Sequence, residues 1–122
     1  MIIDHISISV GNYNESKNFY QKALEPLGYN LIMEIMGWAG FGFNKKGEFW
    51  MTEGDKAVNP MHIAFLAETR QQVYDFYKAA IEAGGKDNGP PGIRTIYHPN
   101  YYGAFVIGPD GHNIEAVCHK PK

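Results

Sequence analysis

The chain carries one order of elements twice, and this repeat limits the folds that are open to it. His5-Ile6-Ser7 and His62-Ile63-Ala64 each open an apolar strand, which is followed by a polar turn, a helix cap and an amphipathic helix. Strand-like runs follow the helix in each half, so each half is predicted to be a βαβββ unit. Such a unit cannot bury both faces of its sheet alone, so the two units are expected to pack side by side.

The first unit is predicted to span about residues 1–55. Its helix is expected over Glu15–Leu24, with Asn14 as the N-cap and an apolar stripe at helical spacing. A polar loop over Glu53–Pro60 is predicted to join this unit to the second one. The predicted strands are Ile2–Val10, Tyr29–Met36, Trp38–Phe43 and Glu48–Thr52.

The second unit is predicted to span about residues 60–120. Thr69 and Gln72 have the spacing of a capping box, which marks the start of its helix, and the Gly/Pro-rich segment Asn88–Gly92 is predicted to be a loop. Together the two units predict a single α+β domain, in which a curved mixed sheet has helices outside and a concave inner face. The predicted strands of this unit are Met61–Leu66, Ile93–His98, Gly103–Ile107 and Asn113–Cys118.

The segment Gly108–Val117, GPDGHNIEAV, places one carboxylate in the middle of an apolar strand. A buried carboxylate is costly unless a positive group meets it, and strand alternation directs Glu115, His5 and His62 toward the same concave face. Two imidazoles and one carboxylate form the donor set used for divalent first-row metals with open coordination positions. The alternative is that His5 hydrogen-bonds locally, while Glu115 pairs with Arg94.

The segments DHISISV, MHIAF and DGHNIEAV resemble the vicinal oxygen chelate superfamily, the glyoxalase / bleomycin resistance / extradiol dioxygenase family. The resemblance covers essentially the whole chain and implies the paired βαβββ fold that the repeat also predicts. It further implies that His5, His62 and Glu115 occupy three metal-ligand positions of the family. Family members often dimerise, and some share a site between two chains, so a homodimer is expected.

One position departs from the family pattern. Glyoxalase I carries a fourth ligand, Glu or His, and the best match here is Trp50, which cannot ligate a metal. Glu48 shares the phase of Trp50 and would substitute only after a register shift of two residues. Three ligands resemble the extradiol dioxygenases, which use two His and one Glu for Fe(II), although those enzymes are usually longer. The departure weakens a strict lactoylglutathione lyase assignment and leaves the metal in place.

Further polar and aromatic residues are expected around the metal. The segment Tyr97–Tyr102 is densely aromatic, and His98 or Tyr102 within it can act as a proton shuttle. The alternative is a loop whose rings cover the edge of the sheet. The residues expected to contact substrate are Trp50, Arg94 and Tyr101.

Composition and charge narrow the classes of function. The formal net charge of −2 gives no reason to expect nucleic acid or an anionic membrane as partner. The single cysteine, Cys118, fits a reducing cytoplasm and is expected to be buried, whereas His112 and His119 are expected to be exposed. The apolar runs are too short for a membrane span and the N-terminus lacks the pattern of a signal peptide, so the expected location is cytoplasmic.

The sequence therefore predicts a metal-dependent, glyoxalase-like lyase or isomerase that acts on a small oxygenated substrate. One divalent ion (Zn, Ni, Fe, Mn or Co) would be held by His5, His62 and Glu115, and Glu115 would also take part in catalysis. The alternatives are an extradiol-type dioxygenase and a metal-free binding protein of the bleomycin-resistance type, which the aromatic content favours.

Overall fold

The computed structural model describes residues 3–54 and 60–122 of the chain. The same element order occurs in both halves, so the predicted βαβββ repeat is confirmed. Most of the predicted loop Glu53–Pro60 lies outside the described residues. The first unit contains β1 (Ile6–Val10), α1 (Tyr13–Leu24), a short 3-10 turn (Glu25–Leu27), β2 (Asn30–Ile35), β3 (Trp38–Gly42) and β4 (Phe49–Glu53). The second unit contains β5 (His62–Leu66), α2 (Arg70–Glu82), β6 (Lys86–Ile93), β7 (Tyr102–Ile107) and β8 (Asn113–Cys118).

The strands form two four-stranded sheets, in the orders β1-β4-β3-β2 and β5-β8-β7-β6. In each sheet the first strand runs parallel to the last strand of its unit, and the other neighbours are antiparallel. The predicted α+β fold of two βαβββ units is therefore confirmed, and its mixed sheet is divided into two hydrogen-bonded parts. The first strand of each unit lies at the edge of its sheet, and these two edges line a common apolar crevice of about 260 Å³.

Side-chain caps set the start of both helices. The Asn12 side chain accepts a hydrogen bond from the N–H of Glu15 at 2.9 Å, so α1 begins at Tyr13 and the prediction of Asn14 as the cap is wrong. The reason is that Asn12 has the extended backbone that a cap requires, whereas Asn14 already lies within the helix. The predicted capping box of Thr69 at the start of α2 is confirmed.

The segment predicted as a Gly/Pro-rich loop, Asn88–Gly92, is part of strand β6, and the prediction of a strand over Ile93–His98 is wrong. Two register shifts interrupt the pairing of β6 with β7. Such irregularities accommodate proline and glycine on an edge strand, where a missing N–H breaks no inner ladder. The chain then turns between Arg94 and Tyr101, so the aromatic segment is a loop at the end of the sheet.

The core lies between the helices and one face of both sheets. The ring centroids of Phe49 in β4 and Phe65 in β5 are 5.4 Å apart, so the two units share one apolar cluster. The Asp110 carboxylate adds a polar link, since it accepts hydrogen bonds from the Gly11 N–H and the Ser16 hydroxyl, each at 2.6 Å. Neither helix of the described residues is long and apolar enough to cross a membrane.

The other face of each sheet points away from both helices, because side chains alternate along a strand. Several apolar side chains are exposed on these faces, among them Leu66 at 58% and Trp38 at 36%. We call them the first and the second open face, by unit. The first open face carries His5, Ser7, Trp38, Trp50 and Thr52. The second open face carries His62, Ala64, Leu66, Phe105 and Glu115.

Candidate functional site

Glu115 is the buried acid of the second open face. Its strand follows a tight turn in which Gly111 has a φ of 87°, a left-handed value that favours glycine. Glu115 is 1% exposed, yet both oxygens have partners: Oε1 lies 2.7 Å from Nε2 of His62, and Oε2 accepts a hydrogen bond from the Tyr101 hydroxyl. These partners offset the cost of removing a carboxylate from water. The alternative partner considered from sequence, Arg94, does not pair with this acid among the described residues.

His62 reaches Glu115 from the neighbouring strand. β5 runs parallel to β8 with Ala64 opposite Glu115, so His62 lies two residues away on the same face. Its ring centroid is 6.1 Å from that of Phe105, and 54% of its side chain is exposed. The contact therefore joins a buried carboxylate to an imidazole that a ligand can reach from solvent.

Tyr101 reaches the same acid across a glycine. A Cβ at Gly103 would lie 3.2 Å from Cε1 of Tyr101 and 3.4 Å from Oε2 of Glu115, so glycine leaves the room that the phenol occupies. Burial, followed by the neighbouring carboxylate, raises the pKa of the Tyr101 phenol. The hydroxyl is therefore protonated at neutral pH and donates to Glu115. Sequence reasoning assigned Tyr101 to the substrate but missed this contact, although a glycine two residues later on the strand was a usable signal.

Two histidines fasten the loop that carries Tyr101 to the end of β8. Nδ1 of His98 accepts a hydrogen bond from the Asn100 N–H at 3.1 Å, so Nε2 of the neutral ring carries the proton. That Nε2 lies 2.8 Å from Nδ1 of His119, and the two rings are stacked. The Tyr101 ring packs edge-on against both imidazoles. The structure thus places His98 beside the ring of Tyr101, where it positions that residue.

Tyr102, the other expected proton shuttle, lies on the opposite face of β7. It directly follows Tyr101, and alternation turns its side chain away from Glu115. The guanidinium carbon of Arg70 lies 5.2 Å from the centroid of the Tyr102 ring. The structure therefore does not bring Tyr102 to the buried acid.

Two other residues, one directly before β8 and one at its end, have structural contacts. His112 is 1% exposed, and its Nδ1 accepts a hydrogen bond from the Met61 N–H at 2.9 Å. The expectation that His112 is exposed is wrong, because this side chain ties the turn before β8 to the start of β5. Cys118 is buried, as expected, and its Sγ lies 3.6 Å from the Glu68 carbonyl oxygen.

Arg94 approaches the ring of Phe105, as His62 does. Its N–H donates to the Tyr101 carbonyl at 2.7 Å, which closes the loop between them. The guanidinium carbon is 5.5 Å from the centroid of the Phe105 ring, and Nη2 donates to the Pro90 carbonyl at 2.6 Å. Phe105 therefore contacts both a cation and the imidazole of the His62–Glu115 pair.

His5 lies on the first open face, directly before β1. Its Nδ1 is 2.8 Å from Oδ1 of Asp4, and the other oxygen of Asp4 lies 2.7 Å from the Lys46 ammonium. Lys46 first, and then His5, lower the pKa of the Asp4 carboxyl. Within residues 3–54 and 60–122, no three His, Cys, Asp or Glu side chains form a group able to hold a metal ion. A single chain therefore brings together two of the three predicted ligands and leaves His5 apart from them.

Trp50 lies over the backbone of the neighbouring strand. A Cβ at Gly40 would be 2.7 Å from two carbons of the indole, and a Cβ at Gly47 would be 2.5 Å from another. Nε1 of Trp50 donates to the Gly47 carbonyl at 3.1 Å. Two glycines and one hydrogen bond thus fix the indole on the first open face. A shallow hollow there is lined by His5, Ser7, Trp38 and Trp50.

The second open face fits a metal ion in part. An imidazole nitrogen and a carboxylate oxygen 2.7 Å apart are both donors that Zn, Ni, Fe, Mn and Co accept. The hydrogen bond from Tyr101 holds the other oxygen of Glu115, as outer hydrogen bonds hold ligating carboxylates elsewhere. Catalytic metals usually have three protein ligands, so the donor set of one face is one ligand short.

A family model described as the Glyoxalase/Bleomycin resistance protein/Dioxygenase superfamily matches residues 2–116. A glyoxalase/bleomycin resistance protein from Albidiferax ferrireducens T118 has a similar structure, with a TM-score of 0.81 and 26% sequence identity over 94% of this chain and 97% of that one. A glyoxalase/bleomycin resistance protein/dioxygenase family enzyme from Burkholderia phytofirmans PsJN superposes with a TM-score of 0.74, at 16% identity over 98% and 100% of the two chains. No curated protein sequence matches the chain.

Proposed function

Because the chain belongs to the glyoxalase/bleomycin resistance protein/dioxygenase superfamily, we propose that it is a metal-dependent lyase or isomerase of a small oxygenated substrate. One divalent ion would be held by His62, Glu115 and His5. The observation that carries the proposal is the contact of 2.7 Å between the His62 imidazole and the buried Glu115 carboxylate. Some relatives are described as enzymes, among them a glyoxalase-related enzyme from Fulvimarina pelagi.

The side chains around His62 and Glu115 suit a catalytic metal site. When bound, the metal would polarise a substrate oxygen as a Lewis acid. Tyr101 holds one oxygen of Glu115 and keeps its own proton, so the carboxylate has a fixed orientation. The half-exposed ring of His62 is open to a ligand on the solvent side. The role assigned to Glu115 is therefore that of a preorganised ligand, and Tyr101 acts through it as a positioning residue.

We assign the third ligand, His5, to a second copy of the chain. Within one chain His5 lies on the first open face and pairs with Asp4, apart from the His62–Glu115 pair. Both open faces expose apolar side chains, and unpartnered apolar surface is typical of an interface. We therefore expect a homodimer in which His5 of one copy completes the site of the other.

A metal-free binding protein is the second candidate function. It is favoured by the two hydrogen-bond partners of Glu115, which satisfy both carboxylate oxygens without a metal. The indole of Trp50, fixed over Gly40, would then supply a stacking surface for a flat or cationic ligand.

Elemental analysis separates the two candidates. The protein is purified without added metal or chelator, beside Glu115→Gln and the matched control Glu68→Gln, since the Glu68 side chain is 80% exposed. The proposal predicts about one equivalent of metal in the wild type and in the control, and a loss in Glu115→Gln. Zinc or nickel would favour a lyase, and iron would favour a dioxygenase. No metal in any variant, even after reconstitution, would overturn the proposal in favour of a binding protein.

A further inference from the structure

Three residues on the outer part of the second open face are glycines and have no side chain. Gly103 in β7 pairs with Gly92 in β6, and Gly89 pairs with Phe105. Alternation assigns these positions to the same face as Glu115, which pairs with Phe105 from the other side. The outer half of this face therefore has three positions without side chains of their own, and neighbouring side chains lie over them.

The side chain of Arg94 lies over two of these glycines, Gly92 and Gly89. A Cβ at Gly92 would lie 3.0 Å from its Nη1, and a Cβ at Gly89 would lie 3.2 Å from its Nη2. The Phe105 ring and the Pro90 carbonyl hold the guanidinium in place. The two glycines thus allow a long cationic side chain to lie flat against β6, with its guanidinium over the Phe105 ring.

The charge of this guanidinium is not neutralised within the described part of the chain. Arg94 forms no ion pair there, and the hydrogen bond from Nη2 to Pro90 uses one of its five donors. Glu115, the acid of this face, is already engaged by His62 and Tyr101. A guanidinium held in place without an ion pair presents the fork of donors that receives a planar carboxylate.

We propose that Arg94 binds a carboxylate group of the substrate, so that the protein acts on small oxygenated carboxylic acids. The inference deepens the proposed function by naming its substrate class. The carboxylate would lie against Nη1 and Nε of Arg94, and the adjacent oxygen of the same molecule would face the His62–Glu115 pair across Phe105. Arg94 is then a residue that determines specificity, and it takes no part in proton transfer.

The test uses metal-free protein and two probes that differ in charge, glycolate and its neutral amide, glycolamide. Binding is measured by NMR titration of the wild type, Arg94→Met and Arg94→Lys at constant low ionic strength. The matched control is Arg70→Met, which removes an arginine that also stacks on a ring, on the opposite face of β7. The thermal unfolding of each variant is recorded, and Arg94→Lys keeps the charge if Arg94→Met folds poorly.

We expect the wild type and Arg70→Met to bind glycolate about tenfold more tightly than glycolamide, because a charged pair is stronger than a neutral hydrogen bond. Arg94→Met should lose this preference, and Arg94→Lys should keep only part of it because it lacks the fork. Equal preference in the wild type and Arg94→Met would overturn the inference. Metal content is measured on each preparation as purified, before the metal is removed for the titration. A preference for glycolate in a protein that holds no metal would contradict the proposed function alone. Bound metal in a protein without that preference would contradict this inference alone.

Discussion

Nε2 of His62 lies 2.7 Å from Oε1 of Glu115, and the two side chains differ in exposure, at 54% for the histidine and 1% for the acid. The carboxylate therefore depends on protein donors instead of water. Each of its oxygens has one such donor, so removing either donor leaves one oxygen of the buried carboxylate without a hydrogen-bond partner. The stability of this cluster can be measured independently of any metal or substrate.

Tyr101→Phe removes the donor to Oε2 of Glu115. Leaving a buried carboxylate oxygen unpartnered should lower the free energy of unfolding by about 1–3 kcal/mol. The measurement is urea unfolding followed by circular dichroism. Tyr97→Phe is the matched control, since Tyr97 is 62% exposed and should change stability very little. An equal loss in both variants would contradict the assigned role of the Tyr101 hydroxyl.

The difference in stability between the wild type and Tyr101→Phe should depend on pH. The pKa of Tyr101 is raised by burial and by Glu115, so its contribution to stability is complete below the pKa of an unfolded tyrosine, about 10. The contribution falls as the pH rises from there through the pKa of the folded state. The stability difference between the wild type and Tyr101→Phe should thus stay level from pH 7 to about pH 10 and shrink above it. A difference that disappears near neutral pH would show that the phenol is not the donor.

Gly40→Ala should displace the indole of Trp50. The new Cβ would lie 2.7 Å from two ring carbons, and overpacking of this kind costs about 1–3 kcal/mol of stability. The emission of Trp50 should shift, which is read in a Trp38→Phe background so that one tryptophan remains. Gly54→Ala, directly after β4, is the control, because its Cβ would make ordinary contacts of 3.5 and 3.6 Å with Ser9. Unchanged emission and stability in Gly40→Ala would contradict this placement of Trp50.

His119→Ala should loosen the loop that carries Tyr101. The variant removes the acceptor for Nε2–H of His98 and the stacked ring beside it. A net hydrogen bond is worth about 0.5–1.5 kcal/mol, so amide exchange between residues 94 and 101 should accelerate by roughly two- to tenfold. Lys120→Ala is the neighbouring control, and hydrogen exchange measured by mass spectrometry resolves the loop. Identical exchange in the two variants would show that the histidine pair does not fasten the loop.

Much of the fold was predictable because it rests on local patterns. The repeat, the capping box of Thr69 and the alternation around Glu115 each reflect spacing along one strand or helix. The errors arose where tertiary contacts overrode such patterns. Pro90 and its neighbours look like a loop in sequence, yet they form an edge strand with two register shifts. His112 looks like an exposed turn residue, yet it accepts a hydrogen bond from the start of another strand.

The candidate site was less predictable, because it is assembled from contacts between distant segments. Alternation correctly placed His62 and Glu115 on one face, but it gives no distance between two sheets and so did not locate His5. Tyr101 and Arg94 both reach the site over glycines, and a missing side chain leaves only an indirect trace in sequence. Glycines at alternate positions of neighbouring strands are the signal to look for, since they mark the space that a longer side chain fills.

If two copies of the chain share a metal site, a mixed dimer of two ligand variants should bind metal that neither variant binds alone. His5→Ala and Glu115→Gln are produced with different affinity tags, mixed through unfolding and refolding, and the heterodimer is isolated for elemental analysis. Neither variant alone should retain metal, because each lacks a ligand in both sites. The heterodimer keeps one site with an intact His5, His62 and Glu115, so about half of the wild-type metal content should be recovered. A heterodimer as empty as its parents, beside a wild type that binds metal, would contradict the shared site.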